Sequence, residues 1–219
     1  MKKYLINIMT LCFCGWLLGQ TSTPMVTIKG GSYVPLYGVK GEDKATKPVN
    51  VKSFQLDIYP VTNAQYKAFL EKHPEWQRSR VKGIFAQKSY LSHWKSDLDF
   101  SPLEAQAPVT HISWFAAKKY CECEGKRLPT TDEWEYVAQA DAQSIDARKK
   151  KHYQEYIVRS MQTPKTYLQK VGSTPKNYWG VYDMHGLVWE WVADFNSVLL
   201  SGDSRKDKQG DDALFCGGS

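Results

Sequence analysis

Outside its first twenty residues this chain has no long apolar run. The stretch from Leu5 to Leu18 is too short to span a bilayer comfortably, which takes about 20 apolar residues. No membrane span is therefore expected once that segment is removed. Cysteine is scarce as well: five in all, with Cys12 and Cys14 inside the N-terminal segment. The remaining Cys121, Cys123 and Cys216 are odd in number, which excludes a full disulfide framework. Cys121 and Cys123 lie two apart on an expected helix and so point in different directions. That spacing suits neither zinc nor a redox pair, and Cys121 reads as a small core-filling side chain. His73, His93, His111, His152 and His185 show no paired spacing for zinc or iron. There is no serine-nucleophile elbow and no phosphate-cradling glycine loop. Strong charge of one sign is missing too. The formal net charge is +6, and Lys2 and Lys3 of the leader supply two of those charges. The one dense basic run, Arg148 to Lys151 with His152, sits beside Asp146 and Glu155. It reads as a solvated helix face rather than a basic surface interleaved with aromatics, so no nucleic-acid partner is expected.

What the chain does contain begins with a leader. Residues 1–20 have a positive start, an apolar middle and a small, polar end at Gly19-Gln20, the pattern of a secretory signal. A lipoprotein reading through Cys14 is disfavoured, because the preceding Leu11-Cys12-Phe13 lacks small residues. The mature chain is expected to be periplasmic or secreted. Roughly 200 residues remain, enough for one domain with its own core. Eight Trp and thirteen Tyr point to an irregular fold anchored by aromatic rings, each polar ring needing a partner when buried.

Local signals place several elements. Met25 to Ile28 and Val49 to Ile58 read as strands, with Gly30-Gly31 as a turn. Thr62 with Gln65 forms a capping box for a helix carrying Tyr66, Phe69 and Leu70, stopped at Pro74. Ser113 opens a second helix with Trp114, Ala117 and Cys121 on one face and Gly125 at its end. Thr130 with Glu133 caps a third, carrying Trp134 and Val137. Residues 141–160 are polar and lysine-rich, with Ile145, Tyr153, Tyr156 and Ile157 as apolar positions of a further helix. Residues 75–107 read as irregular. Gly180 to Trp191, GVYDMHGLVWEW, is the densest segment: Asp183 and Glu190 flank a turn at Gly186. Two readings are open for these acids. Asp183 caps a turn while Glu190 makes a surface hydrogen bond, or both offer oxygens to a hard cation such as calcium, which takes six to eight carboxylate and carbonyl ligands.

Four blocks, in order, resemble the sulfatase-modifying-factor domain of the formylglycine-generating enzyme family. They are Pro60-Val61-Thr62-Asn63-Ala64-Gln65-Tyr66; Pro108-Val109-Thr110-His111-Ile112-Ser113-Trp114; Gly125 to Tyr136, GKRLPTTDEWEY; and Gly180 to Trp191 followed by Asp194. The resemblance spans about residues 25 to 219. The helix-like 141–160 insertion, Asn177 to Gly180, Met184 to Leu187 and Phe215-Cys216-Gly217-Gly218 are similar to a subgroup associated with nitrite reductase gene clusters.

The resemblance implies an α+β, C-type-lectin-like formylglycine-generating-enzyme fold, poor in regular secondary structure, over residues 25–219. It implies that the domain is incomplete at its C-terminus, since family members continue past Gly217-Gly218-Ser219. It implies a structural calcium site at Asp183, Gly186, Val188 and Glu190; a second family calcium site is not carried over, because the Ala140 to Thr166 insertion takes the place of its loop. In the family, oxygen-dependent oxidation of a protein cysteine uses copper(I) held by two thiolates. That pair follows the Gly-Gly-Ser element, and no residue here matches it. Ser219 matches the serine beside the reacting centre and Trp189 a pocket wall; apart from the resemblance they read as a terminal serine and a core tryptophan. Two functions remain open: an exported oxidase-like domain inactive as this chain, or a non-catalytic accessory protein that holds a protein or peptide partner such as a periplasmic reductase.

Overall fold

The computed structural model describes residues 23–36, 47–162 and 169–194. The leader, Cys216 and Ser219 lie outside the described residues. Strands β1 (Met25–Ile28), β2 (Gly31–Tyr33), β3 (Val49–Val51) and β4 (Phe54–Asp57) form two short antiparallel pairs, β1 with β4 and β2 with β3. The register carries through both, from Met25 opposite Asp57 to Tyr33 opposite Val49, so they are two halves of one ribbon. The ribbon pinches at Gly30, where a Cβ would stand 2.6 Å from the Val51 carbonyl oxygen. Only glycine fits that close an approach. Gly31, expected in a turn, instead opens β2.

Helices α1 (Asn63–Lys72), α2 (Trp114–Cys123), α3 (Thr131–Ala138) and α4 (Lys151–Gln162) follow. Both capping boxes form. Thr62 Oγ1 accepts from Gln65 N at 3.2 Å and Gln65 Oε1 from Thr62 N at 2.9 Å. Thr130 and Glu133 do the same at 3.2 and 2.9 Å. Ser113 Oγ caps α2, and Gly125, at φ +68°, follows its last turn. The face α2 buries is rotated from the expected stripe: Ala116, Ala117 and Tyr120 point inward, because Tyr120 packs against Tyr66 and Phe69 of α1. Helix α4 begins ten residues later than the 141–160 reading. Asp141, Ser144 and Asp146 bind nearby main chain and basic side chains and hold residues 141–150 in turns. The basic run thus leads into the helix instead of lying along one face: Arg148 is bound to Asp146, and Lys150 to Asp141.

Two apolar cores result. One joins the ribbon to α3 and the 179–184 segment through Ile28, Val51, Val137, Trp179 and Val181. The other surrounds α1 and α2 and draws Tyr90, Leu91 and Trp94 from the irregular 75–107 stretch. That stretch has little regular structure but is anchored. Tyr90 Oη donates to the Trp76 carbonyl at 2.9 Å and lies 2.7 Å from Tyr66 Oη. Trp94 Nε1 donates to Asn63 Oδ1 at 3.2 Å. Among the described residues no helix is long and apolar enough to cross a membrane.

Candidate functional site

Long-range main-chain and indole hydrogen bonds knit the four sequence blocks together. Val109 N donates to the Val61 carbonyl at 2.9 Å, joining the first block to the second. Trp114 Nε1 reaches the Val192 carbonyl at 2.9 Å and Trp191 Nε1 the Ile112 carbonyl at 3.0 Å, joining the second to the fourth. Trp134 Nε1 donates to Glu190 Oε2 at 2.7 Å, and Asp194 Oδ1 accepts from Thr131 N at 2.7 Å at the start of α3, joining the third to the fourth. A cavity of about 770 Å³ opens where they meet. One wall is β4, and each of the four blocks supplies side chains: Val61, His111, Leu128 and Trp189 among them. The Asp57–Lys126 ion pair, 2.7 Å, lies on the wall.

The Asp183–Glu190 turn borders this cavity, and the structure treats its two acids differently. Asp183 is wholly buried, 0% exposed, at φ +60°. Its carboxylate accepts from the backbone N–H of Gly172 and, at 3.0 Å, of Thr174. Its own N–H donates to Thr174 Oγ1 at 2.7 Å. These local bonds explain how a non-glycine residue holds a left-handed conformation. Glu190 is exposed as a residue, but its carboxylate is turned onto the Trp134 indole at the cavity wall. Desolvation, opposed by the Trp134 bond and reinforced by the Asp183 charge, pushes its carboxyl up to about 7. Gly186 turns the chain between them at φ +91°. Trp189, 86% exposed, lines the cavity from its lip and is not a core tryptophan.

A hard cation at this turn would meet two carboxylates already engaged: Asp183 by the amides of Gly172 and Thr174, and Glu190 by the Trp134 indole. Each Asp183 oxygen spends one of its acceptor positions on an amide. No three acidic, histidine or cysteine side chains converge on one point among the described residues. A cation here would therefore also need the carbonyls of Gly186 and Val188. Copper(I) does not fit the described thiols. Cys121 and Cys123 diverge along α2, and burial pushes the Cys121 thiol up to about 11, away from the thiolate that binds soft metals.

The sequence reading missed the partners of the turn. Tyr153, Tyr156 and Ser160 of α4 all reach it, and Gly172 and Thr174 hold Asp183. Tyr153 and Tyr156 carried an apolar signal only, and nothing local announces where their hydroxyls go.

The profile of the Sulfatase-modifying factor enzyme 1-like domain matches residues 18–219. The chain belongs to this family. It is 33% identical over 180 residues to serine/threonine-protein kinase pkn1 of Chlamydia caviae, covering 79% of this chain and 28% of that protein. The chain thus spans little more than a quarter of the length of that relative. It is 28% identical to the inactive C-alpha-formylglycine-generating enzyme 2 of Mus musculus, covering 80% of this chain and 70% of that protein. It is also 28% identical to the formylglycine-generating enzyme of Mus musculus, covering 90% of this chain and 66% of that protein. Family relatives thus include one named as an enzyme and one named as inactive.

Proposed function

We propose that this chain is an exported formylglycine-generating-enzyme-like domain that holds a protein or peptide partner at its central cavity and does not oxidise it as the chain stands. The convergence of all four blocks on one cavity, with Trp189 at the lip, carries this reading. A concave, mostly apolar site with a few polar groups is the usual form of a binding site. The oxidase chemistry of the family needs two thiolates, and Cys121 and Cys123 do not supply them. Ser219, the other proposed pocket residue, lies outside the described residues. The subgroup resemblance favours a periplasmic reductase as the partner, and the small sheets and short helices agree with a C-type-lectin-like scaffold.

We also assign a structural calcium ion to the Asp183–Glu190 turn. Asp183 and Glu190 would hold it with the carbonyls of Gly186 and Val188. There it would neutralise charge and cross-link the turn at the cavity lip.

The competing reading is a working oxidase, and copper separates the two. The chain is titrated with copper(I) against bicinchoninate, and oxygen uptake is followed with cysteine-containing peptides. The expected result is no stoichiometric copper and no oxygen uptake, with peptide binding seen in tryptophan fluorescence and weakened at least tenfold in Trp189→Ala. One tightly held copper with oxygen uptake would reverse the reading in favour of the oxidase.

A further inference from the structure

Strand β4 pairs with β1 alone, and its other edge faces the central cavity. Every residue from Ser53 to Asp57 lines that cavity, while β1 reaches it only through Met25. Successive side chains of a strand point to opposite faces, so a cavity that touches the whole run meets the strand edge-on. The ladder fixes which main-chain groups lie on this edge. Ile58 N donates to the Pro24 carbonyl at 2.9 Å, which makes them a hydrogen-bonded pair. Pro24 has no N–H to return the bond, and Tyr182 N supplies the Ile58 carbonyl instead, at 3.0 Å. Hydrogen-bonded and non-hydrogen-bonded pairs alternate along antiparallel strands. Val26–Leu56 and Ile28–Phe54 are therefore bonded pairs, and Met25–Asp57 and Thr27–Gln55 are not. The N–H and C=O groups of Gln55 and Asp57 consequently point away from β1. None of these groups has a hydrogen-bond partner among the described residues.

Unpaired main chain at alternate positions of a sheet edge is the surface that binds an extended peptide. Gln55 and Asp57 lie about 7 Å apart along the strand, the repeat of one edge of a guest strand. The two faces of β4 set what the guest carries. Phe54 and Leu56 pack against the ribbon core, and on the other face Asp57 holds Lys126 at 2.7 Å. A guest that continues the sheet places an apolar residue beside the first face and a polar one beside the second. The edge is also recessed, since Val61, Val109, Tyr120 and Leu128 line the same cavity. A recess admits one extended chain, whereas two copies of a walled strand cannot approach edge to edge.

We propose that the cavity takes its partner as an added β-strand: an extended peptide of alternating apolar and polar residues whose main chain pairs with Gln55 and Asp57. This rests on the partner reading above and names how the partner is held. Main-chain bonds supply the affinity and alternate side chains the selectivity. A helix, or a segment with proline at the pairing positions, is rejected, because neither offers a row of N–H and C=O groups along one edge.

The test is amide hydrogen exchange of the full chain with and without a capped peptide of alternating threonine and valine that carries one cysteine, with binding followed by tryptophan fluorescence. Bound peptide is expected to slow the Gln55 and Asp57 amides about tenfold or more. The Leu56 and Ile58 amides, already bonded on the β1 side, should not respond. Methylating the peptide's alternate amides in two complementary sets gives a second readout: one set should bind about tenfold more weakly than the other. Gln55→Pro removes an edge N–H while sparing the β1 ladder, and should weaken binding by a similar factor, whereas Gln55→Ala should not. A peptide that binds while the Gln55 and Asp57 amides exchange at their free rate overturns the added strand and leaves the partner reading standing. Equal binding of both methylated sets overturns it too, whether or not Gln55→Pro folds. A chain that does not bind the peptide removes the partner reading, and the added strand with it. Gln55 and Asp57 amides already protected in the peptide-free monomer mean that the edge is filled, which overturns the proposal as well.

Discussion

Gly186 combines two constraints that any side chain would violate. It stands at φ +91°, and Ser160 occupies the space a Cβ would need. Left-handed backbone costs an L-residue about 1–3 kcal/mol, and the crowding against α4 adds to this. Gly186→Ala is expected to lose about 1–3 kcal/mol in urea unfolding with chelator present, where no metal contributes. Stability equal to wild type would mean that the turn relaxes and α4 moves away. Asp183 shows the opposite solution at the same scale, a left-handed residue held by its own carboxylate and amide. Its neighbours in that network come from nine and eleven positions back in the chain, too far for a turn motif to reveal them.

Helix starts are the elements whose cause is most local. Thr130 Oγ1 accepts from Glu133 N, and Glu133 answers through Thr130 N while also pairing with Arg127 at 2.7 Å. Thr130→Ala should cost about 1 kcal/mol, the usual value of such a cap, measured by denaturant midpoint with unchanged slope. No loss would mean that Asp194, which binds Thr131 N at 2.7 Å, holds the start of α3 alone. Helix α4 shows where local signals stop. Ile145 reads as one of its apolar positions, yet the helix begins at Lys151 and Ile145 is 40% exposed. Short polar side chains at Asp141, Ser144 and Asp146 compete for the backbone and favour turns over helix. The amphipathic face from Tyr153 to Ile157 was legible, but its target was not.

At the scale of the whole molecule, the join between α3 and α4 rests on charge. The Asp141 carboxyl is opposed by burial, but Lys150, the amides of Gln143 and Ser144, and His152 outweigh it and hold the group well below its ordinary 3.8. A depressed acid favours the fold above its unfolded pKa and stops doing so as pH falls through the acid range toward the folded value. Asp141→Asn should therefore be less stable than wild type near pH 7, and the gap should close below about pH 4. Thermal melts across pH give the comparison, and a gap that stays constant down to about pH 2 would remove the electrostatic account.

The sequence by itself determined the caps of α1, α2 and α3, the positions of strands β1, β3 and β4, and the four blocks that mark the family; β2 was hidden behind the turn signal of Gly30-Gly31. Each of these signals lies within a few residues of its cause: a hydroxyl three positions before an amide, or a short string in fixed order. Only the tertiary structure decided that the four blocks enclose one cavity, that Tyr90, Leu91 and Trp94 leave an irregular stretch to complete a core, and that Trp189 stands at the lip. It also decided that Asp183 is wholly buried while Glu190 sits on an exposed stretch with its carboxylate against Trp134. The reason is physical: burial and hydrogen-bond partnership depend on which distant surfaces meet, and those contacts join residues tens of positions apart, such as Trp134 with Glu190 and Trp114 with Val192.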